Sequence, residues 1–276
     1  MPGLPEQMSP VPVSAEAVGR GPVALVGSGE YLEVMIEVDR ALLAGRAPRA
    51  VFLPTAAAEE GDERVRHWLH LGTRHFERLG VEPVPLPVLT REDAARDDFA
   101  AVVAGAGLVY LSGGNPGYLA SVLRDSAVWS AILAAWGAGA ALAGCSAGAC
   151  ALTYVADDVR ATRAAAPAGG GAPSVAMVPI SEPSGLAAVP EVAVIPHFDR
   201  MARWAPDLTG RYASRVPESV VVVGVDEDTA IVTDGEEGAP GERRFTVAGR
   251  QSAWVLDRDG GRNRYPAGSA FSIPVA

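Results

Sequence analysis

The feature that most constrains the fold is a run of 31 residues without a charged side chain, between Asp125 and Asp157. Its length is sufficient for a membrane-spanning segment, but glycines interrupt it at positions 137, 139, 144 and 148. We therefore predict that the run divides into a helix, a strand and a second helix. A strand without polar positions is typical of the centre of a parallel sheet, where both faces are buried.

The strand of this run ends in Gly144-Cys145-Ser146-Ala147-Gly148, a G-x-S-x-G pattern. Such a pattern indicates a sharp turn between strand and helix that presents the central serine at its tip. The glycines suit the turn because a Cβ at either position would collide with the neighbouring strand or helix. The alternative is a Gly/Ala-rich turn with an incidental serine, so Ser146 is a candidate nucleophile that other motifs must support.

Short apolar segments alternate with helical patterns through the first half of the chain. Strands are predicted at 22–26, 50–53, 84–88 and 108–111, and helices at 31–43, 59–79, 119–123 and 127–136. This alternation predicts an α/β fold with a doubly wound, mostly parallel sheet and flanking helices. Ligands bind such sheets beyond the carboxyl ends of the strands, where the glycine turns of this chain would meet.

The second half of the chain predicts a different arrangement. Strands are predicted at 192–195 and 219–225, and segments 244–247, 253–256 and 270–273 predict a C-terminal antiparallel meander. An Ala/Gly/Pro-rich stretch at 157–174 predicts a mobile loop. Residues 1–20 contain four prolines and no apolar h-region, which predicts a disordered lead-in rather than a signal peptide. Residues 21–276 are then expected to form one α/β domain.

The composition excludes several classes of function. The formal net charge is −10, so nucleic acid and anionic membrane surfaces are poor partners. All 23 basic residues are arginines, which rules out a Ser–Lys dyad, a Schiff base and a P-loop lysine. Cys145 and Cys150 lie five residues apart across a turn, where we expect neither a disulfide nor a metal site. This usage of cysteine fits a reducing cytoplasm.

Without lysine, a serine nucleophile needs a histidine as its base, and the chain has four histidines. Three of them, at positions 67, 70 and 75, fall outside the apolar stripe of the predicted helix 59–79, where we expect a solvated polar face. They lack the spacing of an H-E-x-x-H metal site. His197 instead follows the predicted strand 192–195, at the edge where the glycine turns gather. We therefore predict that His197 is the general base.

A catalytic histidine also needs a carboxylate on its second ring nitrogen. Asp157 and Asp158 fall in the predicted loop, and Asp199 is too close in sequence to reach its neighbour's ring easily. The acidic turn Asp226-Glu227-Asp228 follows a buried strand and could be held rigidly. The residue pattern does not choose among these three acids.

Two backbone amides are candidates for an oxyanion hole, which needs two donors near the developing charge. One is the amide of Ala147, directly after the candidate nucleophile. The other is the amide of Gly114, in the turn Gly113-Gly114-Asn115-Pro116, where glycine lets the backbone approach a substrate closely. The same four residues are also common in turns without any catalytic role.

Four motifs occur in one order and together resemble peptidase family S51, the aspartyl dipeptidases and cyanophycinases. They are Leu111-Ser-Gly-Gly-Asn-Pro116, Gly144-Cys-Ser-Ala-Gly-Ala149, Pro196-His-Phe-Asp-Arg200 and Gly224-Val-Asp-Glu-Asp-Thr-Ala230. The resemblance runs over about residues 23–273 and implies a fold like that of class I glutamine amidotransferases. It implies Ser146 as nucleophile, His197 as base, Glu227 as acid, and Gly114 and Ala147 as oxyanion donors. It further implies hydrolysis of a peptide or isopeptide bond next to an acidic residue, without metal or cofactor.

The substrate side of the resemblance is less complete. Cyanophycinase-like members carry polar residues before the histidine, where this chain has an Ile-Pro pair. They also carry two arginines after it that grip a substrate carboxylate. Arg203 matches the first, and a proline stands in the second position. Arg200 and Arg211 are candidate replacements, Asn115 is a further candidate substrate contact, and each arginine could equally form a surface salt bridge.

Three other interpretations stay open. An α/β-hydrolase esterase shares G-x-S-x-G but orders its acid before the histidine, and here His197 lies only 51 residues beyond Ser146. An amidase using Cys145 would need its nucleophile one residue before the tip. A relative of the same fold could act on a non-peptide substrate or bind a metabolite or partner without catalysis. The sequence leaves the substrate and the oligomeric state open, a homodimer included.

Overall fold

The computed structural model describes residues 20–156, 179–204, 212–233 and 241–275. The predicted lead-in, apart from Arg20, and the predicted loop at 157–174 lie outside these residues, and so does Arg211. The strands are β1 (Val23–Val26), β2 (Arg49–Leu53), β3 (Glu82–Pro85), β4 (Leu108–Leu111), β5 (Ala141–Cys145), β6 (Val192–Ile195), β7 (Val221–Val225), β8 (Thr229–Thr233), β9 (Glu242–Gly249), β10 (Ser252–Leu256), β11 (Arg262–Pro266) and β12 (Ala270–Pro274).

The larger sheet has its strands in the order β12-β9-β8-β1-β5-β4-β2-β3. The five strands from β1 to β3 in this order run parallel, and β8, β9 and β12 continue the sheet with antiparallel pairing. Strands β1, β4 and β5 are buried along their whole length, as the uncharged central run predicts. The predicted α/β fold with a doubly wound, mostly parallel sheet and C-terminal antiparallel strands is confirmed.

The predicted C-terminal meander is wrong in its connectivity, because its three segments divide between two sheets. A smaller sheet has the order β11-β10-β7-β6, with β6 and β7 parallel and the other pairs antiparallel. Strands β9 and β12 pair with each other in the larger sheet, where the rings of Phe245 and Phe271 stack at 5.6 Å. Strand β10 instead pairs with β7. The chain therefore alternates between the two sheets.

Helices lie on both faces of the larger sheet. They are α1 (Ile36–Leu43), α2 (Asp62–Leu79), α3 (Arg91–Ala94), α4 (Asp97–Val102), α5 (Pro116–Leu123), α6 (Ala127–Gly137), α7 (Ala147–Leu152) and α8 (Phe198–Trp204). The predicted helix 59–79 is shorter than expected, because a 3-10 helix over Thr55–Glu60 ends at Gly61 with φ 93° before α2 begins. At its other end α2 stops at Gly80, whose left-handed conformation is favoured by glycine.

The core is divided by the larger sheet. On one face, α1 and α2 pack on side chains such as Phe52 and Tyr110. On the other face, α5, α6 and α7 pack against the sheet together with residues of β6 and β7, such as Val194 and Val223. A third cluster joins the smaller sheet to α8 through Phe198. These layers bring the carboxyl ends of β1, β4, β5 and β6 to one edge. In the described part of the chain, no helix is long and apolar enough to cross a membrane.

The histidines of α2 divide into two environments. His67 and His70 are exposed, as predicted. His75 is fully buried, so the predicted solvated face is wrong for this residue. Its Nε2 lies 2.7 Å from Asp39 Oδ2 of α1. Burial follows from the close approach of α2 to the sheet at Gly72, where a Cβ would lie 2.6 Å from the Phe52 ring.

Candidate active site

The turn between β5 and α7 has the strained geometry that its sequence predicts. Ser146 has φ 51° and ψ −107°, in a region that L-residues rarely adopt. A Cβ at Gly144 would lie 2.4 Å from the Gly148 carbonyl carbon, and a Cβ at Gly148 would lie 2.2 Å from the Leu111 carbonyl oxygen. Glycine is therefore required at both positions for the strand and helix to approach this closely.

Ser146 lies at the tip of this turn, directed toward His197. The amide of Ser146 donates to the Val26 carbonyl at 2.8 Å, which ties the turn to the end of β1. Its Oγ lies 2.9 Å from His197 Nε2, a normal hydrogen-bond length. An imidazole in this position can accept the hydroxyl proton as the oxygen attacks a carbonyl carbon.

His197 is placed by the smaller sheet and not by the sheet that carries Ser146. It follows β6 with φ 51° and directly precedes α8. Its amide donates to the Gly27 carbonyl after β1. The ring of the next residue, Phe198, packs directly on Gly224 of β7. A Cβ at Gly224 would lie only 2.4 Å from a ring carbon. The glycine in β7 therefore lets α8 sit close to the smaller sheet and directs His197 toward the nucleophile.

Of the three adjacent acids, the structure brings Glu227 to the imidazole. Its Oε1 lies 2.8 Å from His197 Nδ1. Asp226 instead accepts from Trp254 Nε1 at 3.0 Å, and Asp228 lies 3.6 Å from an Arg250 guanidinium nitrogen. The choice that the residue pattern left open is thus made by side-chain direction in the turn between β7 and β8.

The environment of Asp226 is set by burial and by two hydrogen-bond donors from β10. Burial raises the pKa of its carboxyl, and the hydrogen bond from the Trp254 indole opposes that rise. The Ser252 amide also donates to Asp226, at 3.2 Å. Asp226 therefore connects the acidic turn to β10 and holds the backbone from which Glu227 projects.

Three further groups hold Glu227, a role that no sequence pattern predicts for any of them. Its amide donates to Asp199 Oδ1 at 3.0 Å, and its carbonyl accepts from Gln251 Nε2 at 2.9 Å. Its second carboxylate oxygen lies 2.7 Å from an Arg200 guanidinium nitrogen. Asp199 thus contacts the backbone of Glu227, although it lies only two residues after His197 in the chain. Gln251 carries no signal in the sequence.

The turn that contains Gly113 and Gly114 lies beside the nucleophile. A Cβ at Gly113 would be 3.5 Å from Ser146 Cβ. Gly114 has φ 143°, and a Cβ there would lie 2.1 Å from the Ala56 carbonyl oxygen, so this position requires glycine. Ala147, the other predicted amide donor, is buried as the first residue of α7. Both predicted donors thus belong to segments that border Ser146.

The predicted substrate contacts differ in how they are engaged. Asn115 caps α5 by accepting from the Tyr118 amide, and its Nδ2 donates to Glu59 at 2.7 Å. Arg200 pairs with Glu227, as described above. Arg203 is exposed near the end of α8. Arg200 is therefore already engaged by a carboxylate, whereas Arg203 lies on the exposed surface of the same helix.

Cys145 and Cys150 are both buried, and no disulfide joins them. Burial raises the pKa of the Cys145 thiol well above its usual range, and the charge of Glu30 adds to the rise. This thiol is not at the tip of the turn and stays neutral, which disfavours it as the nucleophile. The described residues contain no group of three or more His, Cys, Asp or Glu side chains able to hold a metal ion.

Comparisons with known proteins identify the family of this chain. The chain is similar to a crystal structure of a peptidase from an acI-B1 Actinobacterium, with 32% identity and a TM-score of 0.77 over 94% of this chain and 99% of that one. A peptidase E-like protein from Listeria monocytogenes EGD-e shares the fold, at 16% identity and a TM-score of 0.56, over 83% of this chain and 98% of that one. No curated protein sequence matches. The model of peptidase family S51 matches residues 23–239, and the chain belongs to this family of serine-type peptidases.

Proposed function

We propose that the protein hydrolyses a small peptide or isopeptide through Ser146, His197 and Glu227, with an acyl-enzyme intermediate. The observation that carries this proposal is the unbroken line of hydrogen bonds from Ser146 Oγ to His197 Nε2 and from His197 Nδ1 to Glu227 Oε1, at 2.9 and 2.8 Å. Hydroxyl, imidazole and carboxylate in this order form the arrangement that activates serine in unrelated hydrolases.

In the acylation step, His197 Nε2 takes the proton of Ser146 as Oγ attacks the scissile carbonyl carbon. The carbonyl oxygen becomes negatively charged, and the amides of Gly114 and Ala147 are the proposed donors to it. His197 then gives the proton to the leaving amine as the carbon–nitrogen bond breaks. The acyl group stays on Ser146 as an ester.

In the deacylation step, His197 takes a proton from water as the water oxygen attacks the ester carbonyl. It then gives this proton to Ser146 Oγ as the carbon–oxygen bond breaks and the acid product leaves. Glu227 keeps the proton of the imidazole on Nδ1 and stabilises the cation that forms in each step. Arg200, Asp199 and Gln251 act through Glu227. They hold the carboxylate and its backbone at the distance from His197 that both steps require.

For the substrate, we propose a peptide with an acidic residue beside the scissile bond. Arg203 supports this choice, because an exposed guanidinium on the helix that follows His197 can bind a carboxylate with two parallel hydrogen bonds. Arg200 contributes less, since its guanidinium already pairs with Glu227. Membership of family S51 agrees with this specificity.

A panel of Asp-X, isoaspartyl-X, Glu-X, Leu-X and Arg-X dipeptides tests both parts of the proposal. We expect the wild-type protein to cleave Asp-X or isoaspartyl-X and Ser146→Ala to cleave neither. Arg203→Ala should raise KM for the acidic substrate about 10-fold or more, the cost of losing one good ionic contact. Arg66→Ala, at an exposed arginine of α2, is the matched control and should leave KM unchanged.

The outcomes separate the catalytic groups from the specificity. Near-normal turnover by Ser146→Ala would contradict the proposed nucleophile. No cleavage across the panel, with Ser146 still labelled by a fluorophosphonate, would contradict the acidic substrate and leave the nucleophile in place. Absence of labelling as well would favour a protein that binds its ligand without catalysis.

A further inference from the structure

The loop that follows β1 contacts each of the segments that form the site. Gly27 accepts from the His197 amide, and Gly29 packs against Asp228, whose Oδ1 would lie 2.6 Å from a Cβ at Gly29. Tyr31 shares a hydrogen bond of 2.8 Å with Ser112 Oγ. The remaining residue of this loop with a long polar side chain is Glu30, which has no role in the mechanism above.

Glu30 is a buried carboxylate, only 7% exposed. Its Oε1 accepts from the Gly113 amide at 3.0 Å, and its Oε2 accepts from the Cys145 thiol at 2.7 Å. The residues that follow these two partners in the chain are Gly114, a proposed oxyanion donor, and Ser146, the proposed nucleophile. One side chain therefore connects the two backbone segments between which the scissile carbonyl must fit.

The hydrogen bond from the Gly113 amide to Glu30 holds the turn directly before Gly114, the proposed oxyanion donor. A glycine pair has wide conformational freedom, so the direction of the Gly114 amide depends on what holds the turn. On one side, the Ala56 carbonyl accepts from the Asn115 amide at 2.7 Å. On the other side, Glu30 holds the Gly113 amide. Its Oε1 would be only 2.8 Å from a Cβ at Gly113, so the carboxylate packs directly on the turn.

We propose that Glu30 is a positioning residue that holds the Gly113–Gly114 turn against the Ser146 elbow, so that the Gly114 amide faces the developing oxyanion. This inference rests on the proposed function. A negative charge this close to an oxyanion would oppose it electrostatically. The contribution of Glu30 is therefore geometric, and it comes from the acceptor for the Gly113 amide.

The test compares Glu30→Met with Glu30→Gln, and the probe is an alkyl fluorophosphonate, whose phosphoryl oxygen uses the same donors as a peptide carbonyl. Methionine keeps the length of the side chain and removes both acceptors. Glutamine keeps one carbonyl acceptor for the Gly113 amide and removes the charge. Glu33→Met is the matched control, because Glu33 is exposed on the same segment and pairs with Arg78 away from the site.

We expect Glu30→Met to lower the maximal rate of labelling about 100-fold, since misplacing an oxyanion donor costs about this factor. The concentration for half-maximal labelling should change less than about 3-fold, because ground-state binding does not depend on the oxyanion donors. Glu30→Gln should restore the rate to within about 5-fold of the wild type, and Glu33→Met should equal the wild type. Melting temperatures are recorded for each variant.

Wild-type labelling by Glu30→Met, or a loss in Glu30→Gln as large as in Glu30→Met, would overturn the inference. If Glu30→Met does not fold, Glu30→Asp replaces it. That variant keeps the charge and draws the oxygens back by one methylene, and we expect about a 10-fold slower rate. An unchanged rate in Glu30→Asp would overturn the inference. Wild-type protein that is not labelled at Ser146 would overturn the proposed function itself, which is a separate result.

Discussion

Two histidine–carboxylate pairs of nearly equal length lie in this molecule, with different surroundings. His197 Nδ1 lies 2.8 Å from Glu227 Oε1, and His75 Nε2 lies 2.7 Å from Asp39 Oδ2. The side chains of the first pair are 27% and 17% exposed, and those of the second are 0% and 2% exposed. The second ring nitrogen of His197 faces Ser146 Oγ. The second nitrogen of His75 has no hydrogen-bond partner among the described residues.

The surroundings of His75 explain why this pair is structural. Its ring lies 5.7 Å from that of Tyr31 and 5.2 Å from that of Phe76, within the core between α1, α2 and the larger sheet. Burial raises the pKa of Asp39, and the hydrogen bond and charge of His75 oppose the rise. The comparison teaches that a histidine–carboxylate hydrogen bond does not itself indicate catalysis. Access for a substrate and a nucleophile on the second nitrogen make the difference.

The largest effect on catalysis is expected at His197, and it tests whether the two histidine–carboxylate pairs differ in function. His197→Ala should lower kcat by about 10⁴- to 10⁶-fold, as loss of the base does in other serine hydrolases. Because the side chain is partly exposed, the free energy of unfolding should change by less than about 1 kcal/mol. Dipeptide hydrolysis measures kcat, fluorophosphonate labelling follows the reactivity of Ser146, and urea unfolding measures the free energy of unfolding. Labelling of His197→Ala at the wild-type rate would contradict the assignment of the base.

At the buried pair of His75 and Asp39, we expect a loss of stability without a loss of fluorophosphonate labelling. His75→Leu should destabilise the protein by about 3–5 kcal/mol, because Asp39 then stays buried without its partner. His75→Leu combined with Asp39→Leu should recover most of this loss, since two apolar side chains can replace a buried pair. Urea unfolding measures both, and the labelling rate of folded protein should stay at the wild-type level.

His70→Leu is the matched control for that experiment, since His70 is exposed on the same helix. It should change the free energy of unfolding by less than about 0.5 kcal/mol. A loss of labelling in folded His75→Leu protein would remove the distinction between the two pairs. Equal stability of His75→Leu and the wild type would mean that the buried pair contributes nothing to the fold.

The proximity of Ser146 and His197 could be predicted because its constraints are local or few. Gly144 and Gly148 flank Ser146 in the chain itself, and the steric demand on them follows from one turn. The choice of Glu227 could not be made without the resemblance, because Trp254 and Ser252 of β10 hold Asp226 away from the ring. The position of β10 in the smaller sheet depends on long-range pairing that no local pattern encodes.

The wrong prediction of a solvated position for His75 has a similar cause. Periodicity places His75 outside the apolar stripe of α2, but its burial depends on Asp39, which lies 36 residues earlier on another helix. A polar residue becomes compatible with a core once a partner satisfies it. Hydrophobic pattern alone therefore assigns such a residue to the surface. The role proposed for Glu30 escaped prediction for the same reason, because its partners lie 83 and 115 residues away.

The smallest expected effect extends the comparison to two neighbours on the elbow. One is Ser146, whose hydroxyl meets the partly exposed His197, and the other is Cys145, whose thiol is buried. The pKa of Cys145 is raised by burial, whereas an exposed thiol has a pKa of about 8.5. Above that pH the unfolded chain loses a proton that the folded protein keeps, so stability falls as pH rises.

Because the limiting slope is about 1.4 kcal/mol per pH unit, urea unfolding between pH 8 and 10 should show wild type losing more stability than Cys145→Ala. Cys150→Ala should likewise show a steeper loss than the double variant Cys145→Ala/Cys150→Ala, because these two proteins differ only at Cys145. Equal slopes in the wild type and Cys145→Ala would mean that the thiol beside Ser146 ionises in the folded protein. The distinction between the two neighbours would then rest on their positions in the turn alone.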